Sequence, residues 1–133
     1  LTGLFPVAGV DFDALYQSTG PTGYDPRPGS LRHGGNSGLS ACHIAAQEGA
    51  ARVVLFGFDL RGSHYFGNHP HPLRNTTAST FESFRRRFAV FASELAAVRP
   101  EVDVRIASPG SALLEPSPLW PFVEPLDLEA WAG

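Results

Sequence analysis

The sequence predicts an α/β domain with a Rossmann-like parallel sheet flanked by helices, and three observations carry that reading. An apolar set at helical spacing, Leu39, Cys42, His43 and Ala46, leads into Arg52-Val-Val-Leu-Phe56, a β-branched and apolar run without alternation. A longer helical stripe, Phe81, Phe84, Phe88, Phe91, Leu95 and Val98, leads into the alternating run Val102–Ile106. Helix, strand, helix, strand is the order of parallel α/β units. With 133 residues, 43% of them hydrophobic, the chain has material for one core.

Taken in order, Val7–Phe12 reads as a short strand or an extended lead-in, and Phe12–Gln17 as a turn of helix. From Ser18 to Gly35 the composition shifts to Gly, Pro, Ser and Thr, which predicts a long loop. Asn36 or Ser37 can cap the first helix and Gly49 can stop it. The run Arg52–Phe56 reads as a strand covered on both faces. Ser79 or Thr80 can cap the second helix, Glu82 can pair with Arg86, and Arg99-Pro100 ends it. Ser108-Pro-Gly-Ser111 is a turn leading toward a short helix through Leu114, and Leu126–Trp131 reads as a last helical turn. The expected division is a lead-in segment and loop over 1–35, a helix–strand–helix–strand core over 36–114, and a Pro-rich tail over 115–133, all in one domain.

Composition narrows the function classes. The formal charge of −3 leaves no electrostatic footprint for nucleic acid. No apolar run reaches the roughly 18 residues of a membrane span, and no signal peptide is visible. Cys42, alone and on an apolar helix, reads as a buried structural thiol; a chain without an internal disulfide fits a cytoplasmic location. All ten basic residues are arginine, so a Walker-type lysine loop is excluded. The chain lacks methionine and begins at Leu1, which predicts a processed protein or a piece of a longer one.

Topology locates the chemistry. In a β-α-β crossover the helix starts, and the following strand ends, at the carboxyl edge of the sheet, where open α/β sheets bind ligands. That places Asn36, Ser37 and Gly38 near Gly57 and Asp59. A helix start is a natural seat for phosphate, and Gly34, Gly35 and Gly38 permit close backbone approach; the competing reading is a tight turn with an N-cap. Asp59 can bind a ribose, hold a metal or cap the next turn. The loop Ser63-His-Tyr-Phe-Gly-Asn-His-Pro-His71 concentrates His64, Tyr65, His69 and His71, candidates for general acid–base work or for an uneventful solvated loop. No cysteine stands nearby to complete a zinc site, so no metal is assigned. His33 and His43 read as a loop residue and a packed helix residue. Glu94, Glu101 and Asp103 read as surface charges.

These motifs come in an ordered set: Gly34-Gly-Asn-Ser-Gly38 opening a helix, Val54-Leu-Phe-Gly-Phe-Asp-Leu60, Ser63-His-Tyr-x-Gly-x-His-Pro70, and Ser108-Pro-Gly-Ser-Ala-Leu113. The set resembles uncharacterised phage and bacterial proteins similar to the Rossmann-like domain of the Maf-type flagellin glycosyltransferases and the archaeal hydroxymethylpterin diphosphokinases. It also resembles the C-terminal half of the bacterial bifunctional sialyltransferases. That resemblance, over Gly34 to Leu114, implies a nucleotide-sugar-dependent glycosyltransferase-like protein. It implies Asn36, Ser37, Gly38, Gly57 and Asp59 as nucleotide contacts, Tyr65 as phosphate partner and His69 as base. Asn68 interrupts the family spacing and leaves the base open to His64 or His71. The transferase reading requires no cofactor. A diphosphokinase would use ATP, with magnesium on Asp59, and a non-catalytic nucleotide-binding or assembly module is the third expectation. The families' additional Gly-rich strand and loop have no counterpart here, which implies a fragment or a reduced relative that is not an active transferase; an oligomer or a missing N-terminal segment is the corresponding expectation for partners.

Overall fold

A computed structural model describes residues 15–61 and 77–133. The protein is mixed α/β, with two small parallel sheets and three α-helices among the described residues. Strand β1 (Gln17–Gly20) pairs in parallel with β2 (Ser30–Arg32); helix α1 (Ser37–Gln47) follows, then β3 (Arg52–Leu55). Helix α2 (Ala78–Val98) connects β3 to β4 (Asp103–Ile106), which pairs with β3 in parallel and in register from Arg52↔Asp103 to Leu55↔Ile106. A 3-10 turn at Ala112–Leu114, another at Pro125–Asp127, and the short helix α3 (Leu128–Ala132) complete the chain.

The core forms where the two helices meet β3 and β4. Leu39, Cys42, His43 and Ala46 are the buried residues of α1, the four positions the helical spacing selects. On α2 the stripe buries Phe88, Phe91 and Leu95, with Phe81 and Phe84 packed at its margin. Val98, expected on that stripe, is half-exposed at the last residue of the helix. Val104 and Ile106 point inward from β4, and Trp120 packs edge-on against both Phe88 and Phe91. Cys42 sits in this layer, and burial pushes its thiol up to about 12, as a structural cysteine requires.

Four expectations need correction. The stretch Ser18–Gly35 is not one loop, since it contains most of β1 and all of β2. Gln17, expected in a helical turn, opens β1, and Phe12–Ala14 lie outside the described residues, as does Val7–Phe12. Strand β3 is not covered on both faces, for Val54 is 41% and Phe56 63% exposed. Among the described residues its only paired neighbour is β4. Helix α2 starts one residue before the expected cap, because Thr77 accepts from the Thr80 amide.

Polar clamps hold β1 and β2 in place of apolar packing. The Gln47 side-chain amide, at the end of α1, faces the carbonyls of Asp25, Arg27 and Ser30 and accepts from the Gly29 amide. The buried Asp25 carboxylate accepts from Thr19 at 2.8 Å and from Arg27 at 2.7 and 3.0 Å. His43, fully buried, accepts the Asp25 amide proton on Nε2 at 3.0 Å, with its ring against Tyr24 and Phe91. Because Nε2 accepts, the neutral ring carries its proton on Nδ1, which is buried without a partner among the described residues.

This network makes folding pH-dependent in two steps. Burial holds the His43 pKa below its ordinary 6.5, against the pull of the Asp25 charge. The unfolded chain therefore binds the extra proton first, and the stability is full above the unfolded pKa and lost as pH falls from 6.5 toward the folded value. The Arg27 hydrogen bonds hold the Asp25 carboxyl well below the carboxylate range. Its contribution is present above the ordinary 3.8 and is lost as pH falls below that. Tm measured against pH is expected to fall first below pH 6.5 and again below pH 3.8, with His43→Gln removing the first decline and sparing the second. A first decline unchanged in His43→Gln would contradict this assignment.

Candidate functional site

The start of α1 is built by a two-glycine turn. Gly34 and Gly35 have φ of 67° and 64°, in the left-handed region where a side chain is strained. The Gly35 amide donates to His33 Nδ1 at 2.9 Å, and the Asn36 amide donates to the His33 carbonyl. Asn36 is extended and caps the helix, its Oδ1 accepting from the Leu39 amide at 3.1 Å. Its carboxamide is therefore committed to the fold, so a ligand role for Asn36 would fall to its remaining polar atoms. Ser37 is exposed and Gly38 half-buried in the first turn.

The chain leaving β3 is tied down by the chain leaving β4. The Gly57 amide donates to Ser108 Oγ at 2.6 Å, Ser111 Oγ donates to the Phe58 carbonyl, and the Ala112 amide donates to the Asp59 carbonyl at 2.8 Å. Gly57 takes φ of 80°, and Leu60, which has a side chain, takes 54°. The Leu60 carbonyl accepts from Arg85 Nη1 at 3.1 Å. Asp59 presents an exposed side chain on this lacework.

The two pieces touch. A β-carbon added at Gly38 would lie 2.7 Å from the Phe58 ring, so only glycine lets the first turn of α1 close against the β3 exit. A β-carbon at Gly35 would collide with Arg87 Nη1, which puts a guanidinium beside the same turn. The structure thus brings the start of α1 to the β3 exit at one point, Gly38 against Phe58, the residue between Gly57 and Asp59. His64, Tyr65, His69 and His71 lie outside the described residues.

Sequence reasoning missed the cations. Arg85, Arg86 and Arg87 stand in a row on the N-terminal half of α2, and only Arg86 has a partner legible in the sequence; its ion pair with Glu82 forms at 3.0 Å. The triplet, on the first helix after the β3 exit, is the signal that could have found them. Ser108 and Ser111 are legible only as turn formers. Asp103, expected as a surface charge, is half-buried: Arg105 and the Trp131 indole hold its carboxyl below the usual range.

Beside this edge lies a cleft of about 600 Å³ lined, among the described residues, by Arg61, Arg85, Ala112, Glu115 and Pro116. Arg61 pairs with Glu115 across it at 3.1 Å. Among the described residues no group of three or more His, Cys, Asp or Glu side chains is placed to hold a metal ion. No helix among them is long and apolar enough to cross a membrane. The edge can offer an anion the start of a helix and a guanidinium, and can offer a hydroxyl the Asp59 carboxylate. No family model, curated protein or solved structure matches the chain.

Proposed function

We propose that the chain is a Rossmann-like, glycosyltransferase-like protein that binds the phosphate of a nucleotide or nucleotide sugar at the carboxyl edge of β3. The supporting observation is the closure of Gly38 against Phe58, which joins the start of α1 to the β3 exit at the place where open α/β sheets take ligands. In this reading the phosphate sits at Ser37 and Gly38 beside Arg87, and Asp59 accepts from the ribose. The acceptor hydroxyl attacks the anomeric carbon of the donor sugar. His69, or His64 in its place, takes the hydroxyl proton, and the anomeric C–O bond breaks with its electron pair leaving on the nucleotide phosphate, assisted by Tyr65. The reaction needs no resident cofactor, and the proposed setting is the cytoplasm of a bacterium or phage-infected cell.

Calorimetric titration with CMP and UDP tests the reading. Binding of at least one is expected, weakened about tenfold by Arg87→Gln as one charge-assisted contact is lost. Absence of binding to either at millimolar concentration would count against it. A second reading, a non-catalytic assembly module, draws on Val54 and Phe56, apolar side chains exposed on β3 and its exit. Under that reading Phe56→Ser changes the association state and leaves any nucleotide response unaltered.

A further inference from the structure

We propose that the cleft between Arg61, Arg85 and Glu115 is a second binding site, for a phosphate ester that carries neighbouring sugar hydroxyls. It goes beyond the nucleotide reading and uses none of that reading's residues. The volume, about 600 Å³, falls within the range of small-molecule pockets, roughly 300–1,000 Å³.

Two arginines reach the cleft from different elements, Arg61 from the β3 exit and Arg85 from α2. Arg85 is held in advance: its Nη1 donates to the Leu60 carbonyl at 3.1 Å, so little side-chain freedom is lost when the rest of the fork meets an anion. Leu60 keeps a left-handed backbone that disfavours its own side chain. That conformation presents the carbonyl Arg85 uses and sets the direction in which Arg61 follows. Strain retained by a residue with a buried side chain, next to a cleft lined by two arginines and a glutamate, is the pattern of a functional turn.

Glu115 decides the class of ligand. A bare anion would gain nothing from a carboxylate in its site and would be repelled by it. A sugar phosphate suits both charges: the phosphate takes the guanidinium groups, and the adjacent hydroxyls donate to Glu115. The Arg61–Glu115 pair occupies the site meanwhile, with side chains 46% and 71% exposed. A solvent-exposed pair of this kind contributes little, so a doubly charged phosphate can displace it. Ala112 and Pro116 supply apolar lining for the carbon face of the sugar.

Titration of the full chain at low salt with ribose 5-phosphate, inorganic phosphate and ribose tests the proposal. Ribose 5-phosphate is expected to bind about tenfold tighter than either of the other two. Arg61→Gln and Arg85→Gln should each weaken it about tenfold, and Glu115→Ala should bring it to the level of inorganic phosphate. Arg61→Gln changes an exposed side chain and keeps the test valid if Arg85→Gln disturbs the Leu60 turn. Competition by CMP that depends on Arg61 would identify a nucleotide as the source of the ribose phosphate; failure to compete would identify a free sugar phosphate. If CMP does not bind but ribose 5-phosphate does, the nucleotide reading falls and the cleft stands. Ribose 5-phosphate binding no tighter than inorganic phosphate, or indifferent to Arg61→Gln, would overturn the proposal.

Discussion

Phe91→Ala is expected to lower the free energy of unfolding by about 3–5 kcal/mol, the range for removing a fully buried aromatic ring. Phe91 is completely inaccessible and meets Tyr24, His43 and Trp120 with ring centroids 5.8, 5.8 and 6.3 Å away. These partners come from the segment after β1, from α1 and from the C-terminal tail. Collapse around the void would have to move three elements together, and two of them are pinned by Gln47 and Asp25. Chemical denaturation measures the effect. A loss below about 1 kcal/mol, smaller than ordinary core truncations give, would mean that α2 is not the centre of the core.

Gly34→Ala is expected to cost about 2–5 kcal/mol, the sum of a left-handed backbone penalty of about 1–2 and an overpacking cost of about 1–3. The new β-carbon would collide with Leu39 Cδ2, and Leu39 is buried in the core and cannot swing clear. Gly49→Ala is the control. Its φ of 90° brings backbone strain, but nothing lies within 4 Å of the added carbon. The difference between the two variants therefore reports the clash at the start of α1. Equal losses would mean that Leu39 can move and that the turn is not fixed by packing.

Much of the fold could be read from the chain because α1, α2 and β4 each bury one face. Leu39, Cys42, His43 and Ala46 are spaced for a helix, and Val104 and Ile106 alternate with Asp103 and Arg105 as a half-buried strand demands. The β1–β2 pair left no such trace. Leu31 is its one large apolar residue, and what fixes it is a carboxamide and a carboxylate from residues that look like polar surface. Strand β3 misled for the opposite reason: a short apolar run reads alike whether one face or both are covered.

At the site, the crossover argument takes α1 to join two strands of one sheet, whereas β2 and β3 lie in separate two-stranded sheets; the start of α1 meets the β3 exit through Gly38 against Phe58. The residues that complete the edge were invisible to that argument. Ser108 and Ser111 act through Oγ atoms on the backbone of Gly57 and Phe58, 51 and 53 residues away in sequence. Arg85 and Arg87 belong to the polar side of an amphipathic helix, which is a solvated face until tertiary structure turns it toward a cleft or a neighbouring turn.

In the proposed function, the start of α1 and the exit of β3 form one phosphate-binding edge. Amide chemical-shift mapping during titration with CMP and UDP tests it most directly. The amides of Ser37, Gly38, Gly57 and Asp59 are expected to move together along one saturation curve, and Arg87→Gln to shift the curve to higher ligand concentration. Saturable binding that leaves those four amides in place, and moves the β1–β2 segment or the outer face of β3 instead, would contradict it.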